Sequence, residues 1–528
     1  MMNEELYSKA SYALIVAGVL VLSLFIITAP MHRVLTVIPD DAAYYFKIAQ
    51  NVSEGRGLTF DGINRTNGFQ PLWLCILIPF YSIVRGDPEA MCRIVIVLQG
   101  VLLALAAVLL NAVLVRFFSK RAAFVSLLLF MFFIFVQAAN GMESAVLILS
   151  LSALLLFGAR THMLGPRDAR RDLILGMLLG FVVLARLDMV FVPLVVLGAK
   201  FGGALIAREG RSVRVARSAA VLCGFAAIFV PYAVYNRVSF GSVMPISGAL
   251  KSSFPRATLS DYAFSTLGKR GLLGLAMAFA YLLWRVVRPR RPMDPPGNAG
   301  YFRSAMAVMA CAILLHFLHT ILFMRWAVFG WHYVPYILFG VVMVCEPLDR
   351  LLSCMTVKRS GFAYWIAVAA IVVIGCSSVF RNLNRSPEKS WHVAAYDAAL
   401  WARQNTGPLA IFAMKDAGTF GYFSERSVIN LDGVVNNREY QAALREKNLN
   451  GYLAVKGVRF IVQHAFWNRP DIISGDYDAY EISYRSRLFD SDSEPVVLRK
   501  VDEAYRSRPY FDGPYETVFI IWNIGRSE

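Results

Sequence analysis

Charged residues are scarce in this chain of 528 residues: Asp, Glu, Lys and Arg make up 17% of it, while 57% is apolar. A soluble domain carries about 25% charged residues, so the composition excludes an ordinary soluble protein over most of the length. The charge is also one-sided, with 53 Lys and Arg against 36 Asp and Glu. These basic residues cluster in short segments between apolar runs, which is typical of membrane proteins and argues against a nucleic-acid partner.

Cysteine is sparse as well. The chain has 7 cysteines, none of them in a CxxC pair and none after residue 380. This pattern argues against a disulfide framework and predicts no metal site. The chain also lacks a GxGxxG sequence and a P-loop, so nucleotide binding is not supported.

Long apolar runs dominate residues 1–380. They are about 20 residues long, which is the length that crosses a bilayer. The first run lacks a small-residue cleavage site, so we interpret it as an uncleaved span. We predict about eleven transmembrane helices, near residues 10–30, 90–117, 122–139, 143–159, 172–186, 189–207, 218–236, 267–287, 304–323, 332–349 and 362–380.

The basic loops predict the orientation. Lys and Arg collect in cytoplasmic loops, and here they collect in residues 119–121, 160–171, 208–217, 285–303 and 350–359. The N-terminus is then cytoplasmic. The first outer loop, residues 31–89, is about sixty residues long, which is large for a structural connector. We interpret its apolar part, residues 71–84, as an interfacial helix, because a crossing there would invert every later basic loop.

The composition changes to that of a soluble domain at residue 381. Short apolar runs at 409–414, 427–431 and 458–462 are bounded by turn residues. They alternate with segments of helical spacing, such as 391–404. This alternation predicts a small extracytoplasmic α/β domain with a partly parallel sheet over residues 381–528.

The sharpest chemical feature is the acidic pair Asp40–Asp41, directly after the first span. A neighbouring like charge and partial desolvation both raise a carboxylate pKa, which suits a general base. The alternative is a helix cap, because an Asp before the helical segment 42–52 accepts backbone N–H bonds. Both interpretations hold if one Asp caps a helix while the other faces a cavity.

Further polar residues lie in the first outer loop and at the outer ends of the predicted spans. Charge beside hydrocarbon is costly, so it usually faces a cavity or a partner. We predict a lipid-phosphate site made by Arg186, Lys251, Arg325 and His332, and donor or acceptor binding by Tyr44, Asn67, Gln70, Trp73, Glu143, Asp188 and Trp331. The alternatives are a structural ion pair between Arg186 and Asp188 and an interfacial anchoring role for Trp73.

These motifs together resemble the GT-C superfamily of glycosyltransferases, which use polyprenyl-phosphate-linked sugars. The resemblance rests on the acidic pair, the Tyr-rich segment after it, a Gly-x-Gly stretch at 55–57 and Thr-Asn-Gly-Phe-Gln-Pro-Leu-Trp at 66–73. Residues 141–143, 185–188 and 331–335 also look like those of bacterial members. The relatives are protein O-mannosyltransferases, lipid A aminoarabinose transferases and cell-wall arabinofuranosyltransferases.

The resemblance implies an inverting transfer of one sugar to a hydroxyl of a glycan, lipid or protein acceptor. It implies the GT-C fold and a multi-pass protein of the bacterial plasma (inner) membrane, in contact with membrane lipids. It makes Asp40 the base and Asp41 its partner, and arabinose is implied by relatives with an Asp-Asp pair. Gln70 stands where other members often have His. No cofactor is required by this scheme, and a divalent cation at Asp40 and Asp41 is the alternative.

Two other classes of function stay open at this point. A transporter or flippase for a lipid-linked or small solute also has many spans and intramembrane charges. The long first outer loop, the soluble outer domain and the lack of paired broken-helix repeats argue against it. An O-antigen ligase or polymerase would place its key residues in a large loop late in the chain.

Overall fold

A computed structural model describes residues 4–84, 87–161, 163–164, 168–207, 210–258, 272–284, 298–354, 357–464, 479–482, 485–486, 491–492, 495–512 and 515–525. Its first part is a bundle of helices. Their bounds are Glu4–Thr28, Met31–Leu35, Asp40–Ser53, Pro71–Ile83, Pro88–Phe117, Lys120–Ala138, Ser144–Thr161, Ala169–Ala185, Phe191–Ile206, Arg211–Phe240, Ile246–Lys251, Leu272–Trp284, Asn298–Phe323, Val334–Met343, Cys345–Cys354 and Val357–Leu383.

Local sequence signals explain where several helices begin and end. The Asp87 carboxylate accepts the N–H of Ala90 at 3.2 Å and Pro88 follows at the first helical position, which is a favoured helix start. Asp168 accepts the N–H of Arg171 at 2.8 Å in the same way. The helix Arg211–Phe240 ends at Gly241, whose φ of 72° is the left-handed conformation that glycine adopts without strain.

Among the described residues, eight helices are long and apolar enough to cross a membrane. They correspond to eight of the predicted spans. Of the other three, Ala169–Ala185 has 17 residues and Val334–Met343 has 10, while the predicted span 267–287 falls partly outside the described residues, which contain its part Leu272–Trp284. The helix Pro71–Ile83 has 13 residues. A span needs about 20, so the predicted interfacial position of this segment stays compatible with its length.

The connections between the helices lie in two groups at opposite ends of the bundle. At one end Trp73 donates to the backbone oxygen of Gly141 at 2.9 Å, and Arg186 donates to that of Trp331 at 3.0 Å. At the other end the N–H of Ser119 bonds to Asp349 at 2.9 Å. The first end carries the predicted outer loops and the second carries basic loops. Which end faces the cytoplasm stays a prediction.

The C-terminal part contains a five-stranded sheet with the order Ser427–Asn430, Ile411–Met414, Phe460–His464, Phe519–Asn523, Glu503–Arg506. The first three strands are parallel, and the last two run antiparallel to their neighbours. Alternate residues of a strand face opposite sides. Phe412 and Met414 therefore join the core shared with the helix bundle, while Ala413 joins a separate core under the helices Arg438–Arg445 and Leu449–Val455.

Two glycines allow this C-terminal sheet domain to approach the first outer loop closely. A Cβ atom on Gly418 would lie 2.1 Å from the backbone oxygen of Asp40. One on Gly68 would lie 1.8 Å from the backbone oxygen of Val434. Any larger residue would push the two parts of the chain apart, so the sequence at both positions is adapted to this docking.

Candidate active site

A cavity of about 440 Å³ lies where the first outer loop, the ends of several long helices and the C-terminal domain meet. Its size is in the range of about 300–1,000 Å³ that is usual for small-molecule pockets. Nine of the predicted site residues line it: Asp41, Tyr44, Gln70, Glu143, Arg186, Asp188, Lys251, Trp331 and His332. The structure thus brings together residues that are up to 291 positions apart, Asp41 and His332.

Asp41 is the carboxylate of the acidic pair that faces this cavity. No other group in the described part of the chain forms a hydrogen bond with its side chain. Burial raises the pKa of Asp41, the positive charge of Lys251 lowers it, and the negative charge of Asp416 raises it, with a raised pKa as the net result. A free carboxylate with a raised pKa has the properties of a general base.

Asp40 points away from the cavity and into the C-terminal domain. Its Oδ2 accepts the N–H of Gly418 at 2.8 Å and its Oδ1 accepts the N–H of Thr419 at 2.6 Å. Burial raises the pKa of Asp40, and the bond from Thr419 opposes that rise. Each Asp40 oxygen thus already accepts a backbone N–H and Asp40 does not line the cavity, so the geometry favours Asp41 over Asp40 as the base. The helix that it caps, Gly418–Phe423, belongs to the other domain.

The orientation of the two acids follows from the helix that carries them. Residues four apart lie on the same face of a helix, and neighbours do not. Asp40 and Tyr44 share one face: the Tyr44 hydroxyl accepts the N–H of Ala417 at 3.1 Å, beside Gly418. Asp41 and Tyr45 share another, and both line the cavity, which Tyr44 also reaches although Asp40 does not.

Arg186 is enclosed by acidic groups rather than free to bind a ligand. Its guanidinium donates to Asp188 at 3.1 Å and lies 3.5 Å from Glu143. His316 contacts the same Asp188 carboxylate at 3.3 Å. The structural ion pair considered for Arg186 and Asp188 is therefore present. Arg186 has two acidic partners, so its predicted role as a phosphate ligand is not supported by this arrangement.

Glu143 and Gln70 connect this buried ion network to the first outer loop. The Tyr45 hydroxyl donates to Glu143 at 3.0 Å and accepts the N–H of Gln70 at 3.3 Å. The side-chain oxygen of Gln70 accepts the N–H of Leu187 at 3.0 Å. Gln70 therefore holds the loop against the turn that carries Arg186, and the network supports one wall of the cavity.

Lys251 and His332 are the other cavity-lining residues from the predicted phosphate site. The Lys251 ammonium lies 5.7 Å from the centre of the Trp326 ring, a cation–π distance. The Nδ1 atom of His332 accepts the N–H of Phe329 at 3.1 Å. Nδ1 also lies 3.3 Å from the backbone oxygen of Phe329. In the tautomer with Nδ1 as the acceptor, the neutral ring carries its proton on Nε2, where it can donate to a ligand. Trp331 stacks on Phe329 with the ring centres 4.8 Å apart.

Three other predicted residues do not line the cavity. Asn67 accepts the N–H of Ile246 at 2.9 Å and so fastens the loop to the next connection. Trp73 is completely buried and bonds to Gly141, so it packs inside the fold instead of anchoring at an interface. The backbone N–H of Arg325 bonds to the Lys251 oxygen at 2.8 Å, and its side chain is outside the lining. Asn67 and Trp73 therefore make structural contacts between segments of the fold, and Arg325 makes one through its backbone.

Several cavity-lining residues were missed by the sequence analysis, among them Tyr45, His319, Val434 and Val435. Tyr45 had a signal, because it lies four residues after Asp41. Val434 and Val435 had none, since they reach the cavity only through the docking of the C-terminal domain. No group of three or more His, Cys, Asp or Glu side chains is arranged to hold a metal ion within the described ranges.

Comparisons with known proteins give the fold. The chain is similar to the crystal structure of ArnT from Cupriavidus metallidurans bound to undecaprenyl phosphate, with a TM-score of 0.55 and 13% sequence identity, over 92% of this chain and 98% of that one. This likeness confirms the predicted fold class, a polytopic membrane protein of the GT-C type with a small C-terminal sheet domain. A family model described as a domain of unknown function, DUF8728, matches residues 383–512. No curated protein matches the chain.

Proposed function

We propose that this chain is an inverting membrane glycosyltransferase that moves one sugar from a polyprenyl-phosphate donor to a hydroxyl of an extracytoplasmic acceptor. The observation that carries the proposal is the free Asp41 carboxylate in a cavity that also contains the Lys251 cation. The GT-C fold supports it, and so does the similar ArnT structure, which holds undecaprenyl phosphate. By the same reasoning the chain belongs in a bacterial inner membrane.

Asp41 is the base in this scheme, in place of Asp40. It takes the proton of the acceptor hydroxyl, whose oxygen attacks the anomeric carbon from the face opposite the phosphate. The bond between that carbon and the phosphate oxygen breaks through an oxocarbenium-like transition state. Polyprenyl phosphate leaves with the bonding electron pair. This single displacement inverts the anomeric configuration.

Lys251 stabilises the negative charge that grows on the departing phosphate. A cation in a partly dehydrated cavity interacts with such charge much more strongly than it would in water. The Nε2 proton of His332 is a second donor to the phosphate oxygens. Arg186 acts through the ion network with Glu143 and Asp188 and keeps the cavity wall in place. Aromatic side chains such as Trp331 give the sugar ring a flat apolar surface.

The experiment is a donor assay with purified protein in lipid nanodiscs. A panel of polyprenyl-phosphate sugars, including a pentofuranose such as arabinose, is offered with an acceptor extract, and release of polyprenyl phosphate is followed. We expect one donor to be consumed in step with acceptor modification. If no donor is consumed, but the protein moves a labelled lipid-linked sugar across a proteoliposome bilayer, the proposal fails and a flippase is indicated.

A further inference from the structure

The side-chain amide of Gln70 is bound at one end and open at the other. Its Oε1 accepts the N–H of Leu187 at 3.0 Å. A backbone N–H only donates, so the amide oxygen must face Leu187 and the NH2 group must point the other way. Within the described residues no protein group bonds to this NH2 group, and it retains accessible surface. Because Gln70 lines the cavity that contains Asp41, the NH2 group is open to a ligand there.

The position of this donor is fixed from two sides. The backbone N–H of Gln70 donates to the Tyr45 hydroxyl at 3.3 Å, and that hydroxyl donates to Glu143 at 3.0 Å. Gln70 also directly precedes Pro71, the first residue of the helix Pro71–Ile83, and the backbone of a residue before proline is restricted. A donor held in this way binds a ligand with little further loss of conformational entropy.

The acidic groups that this network joins to Gln70 already have partners. Glu143 accepts the bond from Tyr45 and lies 3.5 Å from Arg186, and Asp188 accepts a bond from Arg186 at 3.1 Å. A ligand ammonium beside Gln70 would compete with Arg186 for these acids, and it has no lone pair with which to accept from the NH2 group. An oxygen atom of the ligand accepts that bond directly. This wall therefore fits an oxygen substituent and disfavours an amino substituent.

The reaction geometry places Gln70 beside the sugar rather than the phosphate. In the proposed displacement, the base and the departing phosphate lie on opposite faces of the anomeric carbon. Asp41 and Tyr45 share one face of their helix, and the Tyr45 hydroxyl contacts the backbone of Gln70. Gln70 is therefore on the side of the base, while the phosphate has its own cation in Lys251.

We infer that Gln70 determines donor specificity by donating a hydrogen bond to a hydroxyl oxygen of the transferred sugar, so that the enzyme selects a hydroxyl over an amino group at that position. The inference rests on the proposed transferase function and adds the chemical class of the sugar to it. A site built to bond one polar substituent strongly rejects an analogue that cannot complete the bond, because the polar groups of the site are then left unpaired.

The test compares donors that differ only by a hydroxyl or an amino group. Polyprenyl-phosphate arabinose is paired with the aminoarabinose compound, and the glucose compound with the glucosamine compound. Binding to full-length protein in nanodiscs is measured without acceptor. We expect the hydroxyl member of at least one pair to bind about tenfold more tightly or better, because the ammonium cannot pair with Gln70.

Two variants of Gln70 then test the cause of this preference. In Gln70→Glu one carboxylate oxygen keeps the bond from Leu187 and the other accepts from an ammonium, so the preference should fall about tenfold or more. Gln70→Met has no polar group to offer, so it should bind both members of a pair about equally. Gln404→Glu makes the same change at an exposed residue outside the cavity lining and should keep the wild-type preference. Thermal unfolding shows whether each variant is folded.

An equal or reversed preference in the wild type would overturn the inference, and so would an unchanged preference in folded Gln70→Glu. Equal weakening of every donor in Gln70→Glu would also overturn it, because Gln70 would then contact the phosphate that all the donors share. The outcome is separable from that of the donor assay. If the preference and its loss are observed but no donor is consumed, the transferase proposal fails. If a donor is consumed with the same preference in both Gln70 variants, only the specificity inference fails.

Discussion

Substitution of the two neighbouring acids by asparagine should affect two different properties. Asp40→Asn should weaken the docking of the C-terminal domain, and Asp41→Asn should abolish transfer. In Asp40→Asn the side-chain NH2 group replaces one oxygen, so it faces the N–H of either Gly418 or Thr419, and that donor loses its acceptor. An unsatisfied buried donor costs about 1–3 kcal/mol. The docked form of the C-terminal domain should be weakened by this amount, which increases the undocked population roughly 5- to 150-fold. Asp41 has no such bonds to lose, so Asp41→Asn should leave the docking unchanged.

Hydrogen–deuterium exchange measures this difference directly, because amides exchange when local structure opens. We expect the backbone amides of residues 416–424 to exchange faster in Asp40→Asn by the factor given above, and at the wild-type rate in Asp41→Asn. The Asp40 variant should retain transfer activity for each docked molecule, whereas the Asp41 variant should lose it. Unchanged exchange in Asp40→Asn together with complete loss of its activity would refute the reasoning and restore Asp40 as the base.

Three further predictions concern charge and packing. Removing the positive charge in Lys251→Met should raise the pKa of Asp41 further, so the acid limb of the pH profile of kcat/KM should move to higher pH; an unmoved limb would contradict the role of Asp41 as the base. Gly68→Ala should lower the melting temperature and expose the C-terminal domain to protease, while Gly198→Ala, with open space around it, should be neutral; equal effects would argue against the close docking. Asp188→Ala leaves the buried Arg186 short of a partner and should lower stability by about 3–5 kcal/mol. Asp168→Asn, at an exposed pair, should leave stability almost unchanged, because water already screens that pair. Denaturant unfolding measures both, and a small loss at Asp188 would show that the pair is not structurally important.

Local features of the sequence predicted a large part of the fold. Apolar length predicted most of the long helices, the change of composition predicted the C-terminal domain, and the acidic pair predicted the place of the candidate site in the chain. The Arg186–Asp188 ion pair could also be anticipated from the sequence, because opposite charges two residues apart at a turn can meet. Each of these features depends on residues that are close together in the chain.

Features that depend on contacts between residues far apart in the chain could not be predicted from the sequence. The choice between Asp40 and Asp41 depends on where Gly418 docks, and that turn is 378 residues away from Asp40. The sequence Asp416-Ala417-Gly418 alone indicates only a turn, because its partner Asp40 is in another domain. Asn67 looked like a ligand-binding amide because its partner, the N–H of Ile246, is 179 residues away. The contribution of Val434 to the cavity was hidden for the same reason.

The central claim is that Asp41 removes the proton from the acceptor. The most direct test is the transfer rate of Asp41→Asn at saturating donor and acceptor, measured beside donor binding. A general base contributes about 10²–10⁴-fold to a rate, so we predict that the rate falls by such a factor while donor affinity is retained. Transfer by Asp41→Asn at close to the wild-type rate would contradict the account.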